Sequence, residues 1–361
     1  MIEDFYSFSP YELDKEKKKQ LILDELKMLT ARHRDACEQY ANFLKTVNYQ
    51  EDRVKNIEDI PFLPVRLFKE LELRSISQDK IFKVMTSSGT TGQKVSKIYL
   101  DKETAMMQQK VMVKILGEFF GKKRLPMLII DSSEVIRNRK KFSARGAAII
   151  GLQVIAKDMI FALDENMEIQ QKVIEDFLNK YGDKPFIVFG FTFMVWNHLY
   201  SFLKEKEIKI DLSMGYLMTG GGWKHLSDIS VSQKEFKETM TDYFGITKFL
   251  DHYGMVEQTG CIYAECEYGH LHASIYSDII TRRAEDFSPC RINEPGIVSV
   301  VSVLPHSYPG HALLTEDWGV VLGEDDCPCG RKGKYIQILG RLKQAELRGC
   351  SDTYADKCQR G

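Results

Sequence analysis

Nine consecutive residues, Thr86-Ser87-Ser88-Gly89-Thr90-Thr91-Gly92-Gln93-Lys94, combine five hydroxyls, two glycines and a lysine. Glycines let a backbone bend until successive N–H groups converge on an anion, the hydroxyls add donors, and Lys94 adds a positive charge. Together they could hold a polyphosphate. The spacing differs from that of a P-loop nucleotide hydrolase, which needs four residues between its glycines and Lys-Ser/Thr directly after the second. Taken alone, the same residues also describe a polar turn between two strands.

The surrounding sequence predicts what must position this loop. Phe82–Met85 and Ser96–Leu100 have the composition of short strands on either side of it, and Asp101 is placed to cap a helix running to Phe120. Upstream, Ser9-Pro10-Tyr11-Glu12 has the pattern of a helix start, and Ile22, Leu26, Leu29, Tyr40, Leu44 and Val47 recur at helical spacing. Residues 1–60 are therefore expected as a helical layer, followed by an extended stretch over Ile60-Pro61-Phe62-Leu63-Pro64. Downstream, strands are expected at Pro126–Asp131, Ala147–Ile150, Pro185–Phe189 and Met214–Met218, alternating with helices over 166–180 and 192–205. That alternation predicts an α/β fold with a mostly parallel sheet covered on both faces. A strand-rich C-terminal third follows, at His272–Ile280, Gly296–Leu304, Ala312–Leu314 and Tyr335–Leu339.

Composition narrows the functional class. The chain has 361 residues, is 43% hydrophobic and 28% charged, and so can build a substantial core. With 50 Lys+Arg against 51 Asp+Glu, no charge excess points to nucleic acid or an anionic membrane. The charged N-terminus has no signal-peptide core and no stretch is long enough to span a bilayer, so a cytoplasmic protein is expected. Eight cysteines do not make a disulfide scaffold at this length.

Four further segments occur in a telling order after the loop. They are Met218-Thr219-Gly220-Gly221-Gly222-Trp223, Asp251-His252-Tyr253-Gly254-Met255-Val256-Glu257, Thr315-Glu316-Asp317 and Gly340-Arg341. With the SSGTTGQK loop they span about 250 residues and resemble the signatures of the acyl/aryl-adenylate-forming superfamily. The resemblance implies the large domain of such enzymes over residues 61–340, with ATP and Mg²⁺ as cofactors. It implies that Thr86, Ser87, Ser88, Gly89, Thr90, Thr91, Gly92 and Lys94 hold the triphosphate and that Glu257 holds Mg²⁺, a cation that favours carboxylate and phosphate oxygens. Gly220, Gly221, Gly222, Tyr253 and Gly254 would face the adenine, Asp317 the ribose, and Arg341 the phosphates or ribose.

The sequence runs only twenty residues past Arg341, so the small C-terminal domain of the larger superfamily, with its catalytic lysine, is expected to be missing. The chain resembles one branch instead, the bacterial acyl-protein synthetases, from Ile60-Pro61-Phe62-Leu63-Pro64-Val65-Arg66-Leu67-Phe68-Lys69 through to Glu346-Leu347-Arg348-Gly349-Cys350-Ser351. In bioluminescent bacteria such a protein is the synthetase component of a fatty-acid reductase complex. It makes acyl-AMP and loads the acyl group onto its own C-terminal cysteine for a reductase. The implied activity is ATP-dependent activation of a carboxylic acid, expected to be a fatty acid, and transfer to a protein thiol. Its partners would be the acid and an acyl-accepting reductase or carrier, with no nucleic acid and no membrane insertion. In the tail, residues 341–361, Cys350 and Cys358 compete as acceptor, since a thiolate is a good nucleophile and a thioester a good donor. Cys350 directly extends the family-like segment and is favoured.

Cys266-Glu267-Tyr268-Gly269-His270-Leu271-His272 and Cys327-Pro328-Cys329 form a second constellation, and thiolates with imidazole suit tetrahedral Zn²⁺. Similar segments in relatives of phenylacetate-CoA ligase imply a structural metal on Cys266, His272, Cys327 and Cys329, with His270 or Cys261 as substitutes. The aromatic run Phe189–Trp196, after a strand end, is either the acyl pocket or core. Two other functions fit the same motifs: an acid–CoA ligase of the phenylacetate type, or a catalytically silent nucleotide-binding subunit that docks a reductase.

Overall fold

The computed structural model describes residues 2–87, 94–137, 144–220 and 231–342. They form two units. One combines residues 2–115 with 254–342, and the other is the intervening segment Leu116–Tyr253.

Leu116–Tyr253 is built on five parallel strands. Their spatial order is Ala156–Leu163, Leu125–Ser132, Phe186–Phe191, Gly215–Gly220 and Lys248–Leu250. The central strand, Phe186–Phe191, is buried along its whole length, and Met127 to Ile130 beside it are fully buried. Such continuous apolar runs are what a parallel sheet covered on both faces requires. The expected strand at Ala147–Ile150 is instead part of a helix, Ala144–Leu152, and the strand follows at Ala156–Leu163. A four-residue apolar run cannot by itself separate a buried strand from a buried helix. The helix expected over 166–180 lies at Gln171–Tyr181, and the one over 192–205 passes through a π-helical turn at Val195–Ser201. Helix Gln233–Phe244 is capped by the Ser232 side chain at its start and by Gly245, at φ 71°, at its end. That left-handed backbone favours glycine.

Numbered by chain, the strand order is 2-1-3-4-5, the doubly wound arrangement whose direction of winding reverses between the first and third strands. Ligands bind outside the carboxyl ends at such a point. Ser132, Phe191 and Gly220 close the carboxyl ends of three of these strands.

In the other unit a large sheet runs in the order Ser277–Arg282, Pro295–Ser302, Ala312–Glu324, Lys334–Arg341, Leu271–His272 and Tyr263–Glu265. The short strand Leu63–Pro64 lies parallel to Ala312–Glu324, with Leu63 opposite Leu313. Helix Lys15–Ala36 begins at Asp14, whose carboxylate accepts the Lys17 N–H at 3.1 Å. The start expected at Ser9 is a local turn, in which the Ser9 N–H donates to Glu12 at 2.9 Å. His33, on this helix, and His311, on the turn before Ala312, are fully buried and stack at 5.1 Å. Among the described residues no helix is long and apolar enough to cross a membrane.

Candidate adenylate-forming site

The antiparallel hairpin of Lys83–Thr86 and Lys97–Leu100 presents the glycine-rich loop, with Thr86 paired to Lys97. Ser88, Gly89, Thr90, Thr91, Gly92 and Gln93 lie outside the described residues. The loop's base is closed by a reciprocal pair: the Ser87 N–H donates to the Ser96 carbonyl at 3.2 Å, and the Ser96 N–H to the Ser87 hydroxyl at 2.9 Å. At the far end Lys94 Nζ lies 2.6 Å from Glu70 Oε2.

Glu257 sits on a 3₁₀ turn, Val256–Gln258, and is only 6% exposed. The turn is pinned from both sides. Gln258 Nε2 donates to the Gly310 carbonyl at 2.8 Å, and the Tyr308 hydroxyl to the Glu257 carbonyl at 2.9 Å. Burial pushes the Glu257 carboxyl above the usual carboxylate range; the Ser96 hydroxyl and Lys69 pull it back, and Glu316 adds to the rise. The Ser96 hydroxyl, buried at the base of the loop, is thus turned toward the Glu257 carboxyl. Asp317, midway along Ala312–Glu324, is the cross-strand partner of Arg341, the last residue of Lys334–Arg341. The Thr315 hydroxyl accepts from the Asp317 N–H at 3.1 Å, and Arg341 Nη2 lies 3.0 Å from Glu316. Lys94, Glu257, Asp317 and Arg341 thus belong to one unit, linked through Glu70, Lys69 and Glu316.

In the other unit Gly220 ends its strand against His252. A Cβ there would lie 2.9 Å from the imidazole Cε1, so the approach needs glycine. Desolvation holds the His252 imidazole below the usual histidine range, and neutral Nδ1–H can donate to the Thr219 carbonyl at 3.1 Å. Tyr253 follows on the same short strand, while Gly221 and Gly222 lie outside the described residues. In the aromatic run, Phe189 is core; Trp196 packs on Tyr200 at 4.8 Å and on Phe236 at 6.0 Å. One ion pair here was not singled out in the sequence: Asp131, buried next to the carboxyl end of Leu125–Ser132, lies 3.3 Å from Arg145, and desolvation raises its carboxyl while Arg145 opposes.

The cysteine–histidine constellation closes into a cluster. Ligand atoms of Cys266, His272, Cys327 and Cys329 all lie within 4.8 Å of one another. Cys266 and Cys327 Sγ are 3.9 Å apart and Cys329 Sγ is 3.4 Å from His272 Nε2. Tetrahedral Zn–S bonds set a ligand–ligand edge of ~3.8 Å. Burial pushes the Cys327 thiol up to about 12 and holds the His272 imidazole down to about 4. His270 stands beside the set, with Nδ1 3.2 Å from Cys327 Sγ. Cys261 lies apart, accepting from the Ser302 hydroxyl at 3.2 Å. Cys350 and Cys358 lie outside the described residues.

The fold is that of the adenylate-forming ligases. A solved 2-hydroxyisobutyryl-CoA ligase, in complex with 2-HIB-AMP and CoA, superposes with a TM-score of 0.72 at 16% identity, over 93% of this chain and 70% of that one. The sequence matches the family described as acyl-protein synthetase, LuxE, over residues 2–359, and the chain belongs to it. It is 24% identical to the long-chain-fatty-acid–luciferin-component ligase of Aliivibrio fischeri over 336 residues, covering 91% of this chain and 86% of that protein. The ligase of the same description from Vibrio harveyi is also 24% identical, over 92% of this chain and 89% of its own length. The protein is therefore a ligase, and acyl activation and transfer is the chemistry of its family.

Proposed function

We propose that the protein activates a fatty acid as acyl-AMP and then passes the acyl group to a cysteine thiol, its own tail cysteine first and a reductase or carrier afterwards. The observation that carries this is the junction of three elements in one unit: the closed base of the loop at Ser87 and Ser96, the buried Glu257 beside Ser96, and the paired strands bearing Asp317 and Arg341. The relatives' description as long-chain-fatty-acid ligases supports the choice of acid.

In the first half-reaction a carboxylate oxygen attacks the α-phosphorus in line, and the bond to the bridging oxygen breaks to release pyrophosphate. Two anions must be held together against their repulsion, so the protein's contribution is positioning and charge compensation. The loop N–H groups and Lys94 would hold the β- and γ-phosphates, Asp317 the ribose hydroxyls and Arg341 the phosphates or ribose. Gly220, Gly221, Gly222, Tyr253 and Gly254 keep the adenine-facing role that the resemblance gives them. Glu257 fits a magnesium ligand, because a buried carboxylate with a second carboxylate nearby calls for a cation. Mg²⁺ bound there would neutralise phosphate charge. In the second half-reaction a thiolate of Cys350 or Cys358 attacks the acyl carbon and AMP leaves. The Cys266–His272–Cys327–Cys329 cluster fits a structural zinc, since four protein ligands leave no position for substrate.

Labelled fatty acid and ATP, without coenzyme A, should leave a hydroxylamine-sensitive label on the polypeptide. Cys350→Ser or Cys358→Ser should abolish the label while carboxylate-dependent ATP–pyrophosphate exchange persists. Free acyl-CoA formed on adding coenzyme A, with no labelled protein in its absence, would refute the proposal.

A further inference from the structure

The segment Leu63–Glu70 holds none of the residues assigned to the nucleotide, yet it is fastened to three parts of the nucleotide site. Leu63 and Pro64 pair with Leu313 and Leu314, and the Val65 N–H donates to the Leu314 carbonyl at 2.9 Å, directly before Thr315-Glu316-Asp317. Phe68, fully buried, meets Tyr308 edge-on at 6.2 Å, and Tyr308 in turn holds the backbone of Glu257. With Leu67 and Phe68 buried as anchors, the short helix Leu67–Glu70 turns its last two residues toward the site. Lys69 acts on the Glu257 carboxyl, and Glu70 takes Lys94 at 2.6 Å. The Lys94 side chain is 65% exposed and that of Glu70 only 21%, so the glutamate is the fixed member of the pair.

We propose that Glu70 is a positioning residue that acts through Lys94: its carboxylate holds the ammonium in place of a phosphate oxygen, yields it to the triphosphate, and takes it back as pyrophosphate leaves. This rests on the assignment of the loop to ATP. An ammonium released by one anion pairs with the nearest other, and a triphosphate carries more charge than one carboxylate, so Lys94 transfers when ATP arrives. The cost of breaking an exposed pair is small, which keeps the exchange reversible. Glu70 thereby opposes tight retention of both ATP and pyrophosphate.

The test is a double-mutant cycle read by ATP–pyrophosphate exchange and by direct nucleotide binding, with thermal melting to check folding. Glu70→Gln keeps the side chain's shape and removes its charge. It should lower the KM for ATP and the inhibition constant of pyrophosphate by about three- to fivefold. In a Lys94→Met background the same change should have no effect on ATP or pyrophosphate binding, because the partner through which Glu70 acts is gone. Unchanged or weaker binding in Glu70→Gln, or an effect that persists without Lys94, would overturn the proposal. If the wild-type protein neither binds ATP nor catalyses exchange, the nucleotide assignment itself fails, which is a separate outcome.

Discussion

In the proposed role of Glu257 as a magnesium ligand, its charge state governs chemistry. Burial raises its carboxyl, so in the free protein it takes up a proton at a higher pH than an exposed glutamate does. A magnesium ligand must be ionised, and the group is ionised only above its pKa. The acidic limb of exchange activity should therefore fall as pH drops through that raised value. The limb should move to lower pH as magnesium is increased, because a cation favours the charged form. Glu257→Gln should lose the limb and about 10²-fold or more in rate, comparable to removal of a buried charge-stabilising group. A wild-type limb that ignores magnesium concentration would place the titrating group elsewhere. The roles of Lys69 and Glu70 beside the site were not legible in the sequence, because ordinary Lys-Glu pairs on short helices carry no pattern, although Lys69 closes the segment that resembles the family. Only the tertiary path through Tyr308 and Leu314 brings them to Lys94 and Glu257.

At the scale of elements, the cysteine–histidine cluster ties the strand Leu271–His272 and the turn after Tyr263–Glu265 to the Cys327-Pro328-Cys329 turn. Where that cluster holds zinc, metal analysis should find about one equivalent per chain, and a strong chelator should lower the melting temperature by ~10 °C. Cys327→Ser should abolish the metal and the chelator's effect together, whereas a metal-free native protein would dismiss the site. The strands around the loop were legible because polar Gly/Ser/Thr residues bound them sharply, and the Asp101 cap was legible from residue type: Asp101 accepts the Thr104 N–H at 2.8 Å. Ala147–Ile150 misled because helices and buried strands share short apolar runs. The decisive feature was the longer run Ala156–Leu163 just beyond. Ser9 misled for a related reason, since Ser9 and Glu12 close a local turn through the Ser9 N–H while Asp14 starts the helix. Thiol and imidazole chemistry made the constellation a zinc candidate, and the resemblance implied the four ligands, with His270 or Cys261 left as substitutes. Their convergence depends on the antiparallel pairing of Leu271–His272 with Ile336 and Tyr335, which no local signal encodes.

At the scale of the molecule, the buried histidines set the response to acid. Desolvation holds His311 at about 3 and His33 well below the usual histidine range, and both are enclosed by Thr30, Tyr40, Ser75 and His306, with Glu25 beside His306. A folded pKa below the unfolded one means the unfolded chain binds more protons, so stability is full above about 6.5 and is lost as pH falls below it. His311 alone should cost ~2 kcal/mol between pH 7 and pH 5. Urea unfolding at the two pH values should show this loss, and His311→Gln should show less of it. A stability independent of pH over that range would contradict the buried neutral state.

One unit is assembled from two stretches of chain with Leu116–Tyr253 between them. Leu63 cannot find Leu313 until a ribosome has made everything in between. The parallel five-stranded sheet is thus complete, and free to settle, while the partners of the first hundred residues are still unmade. The glycine-rich loop emerges early, but the glutamate and aspartate assigned to its nucleotide arrive late. A nascent chain stalled before Glu257 would carry the loop and lack the groups that give it a purpose.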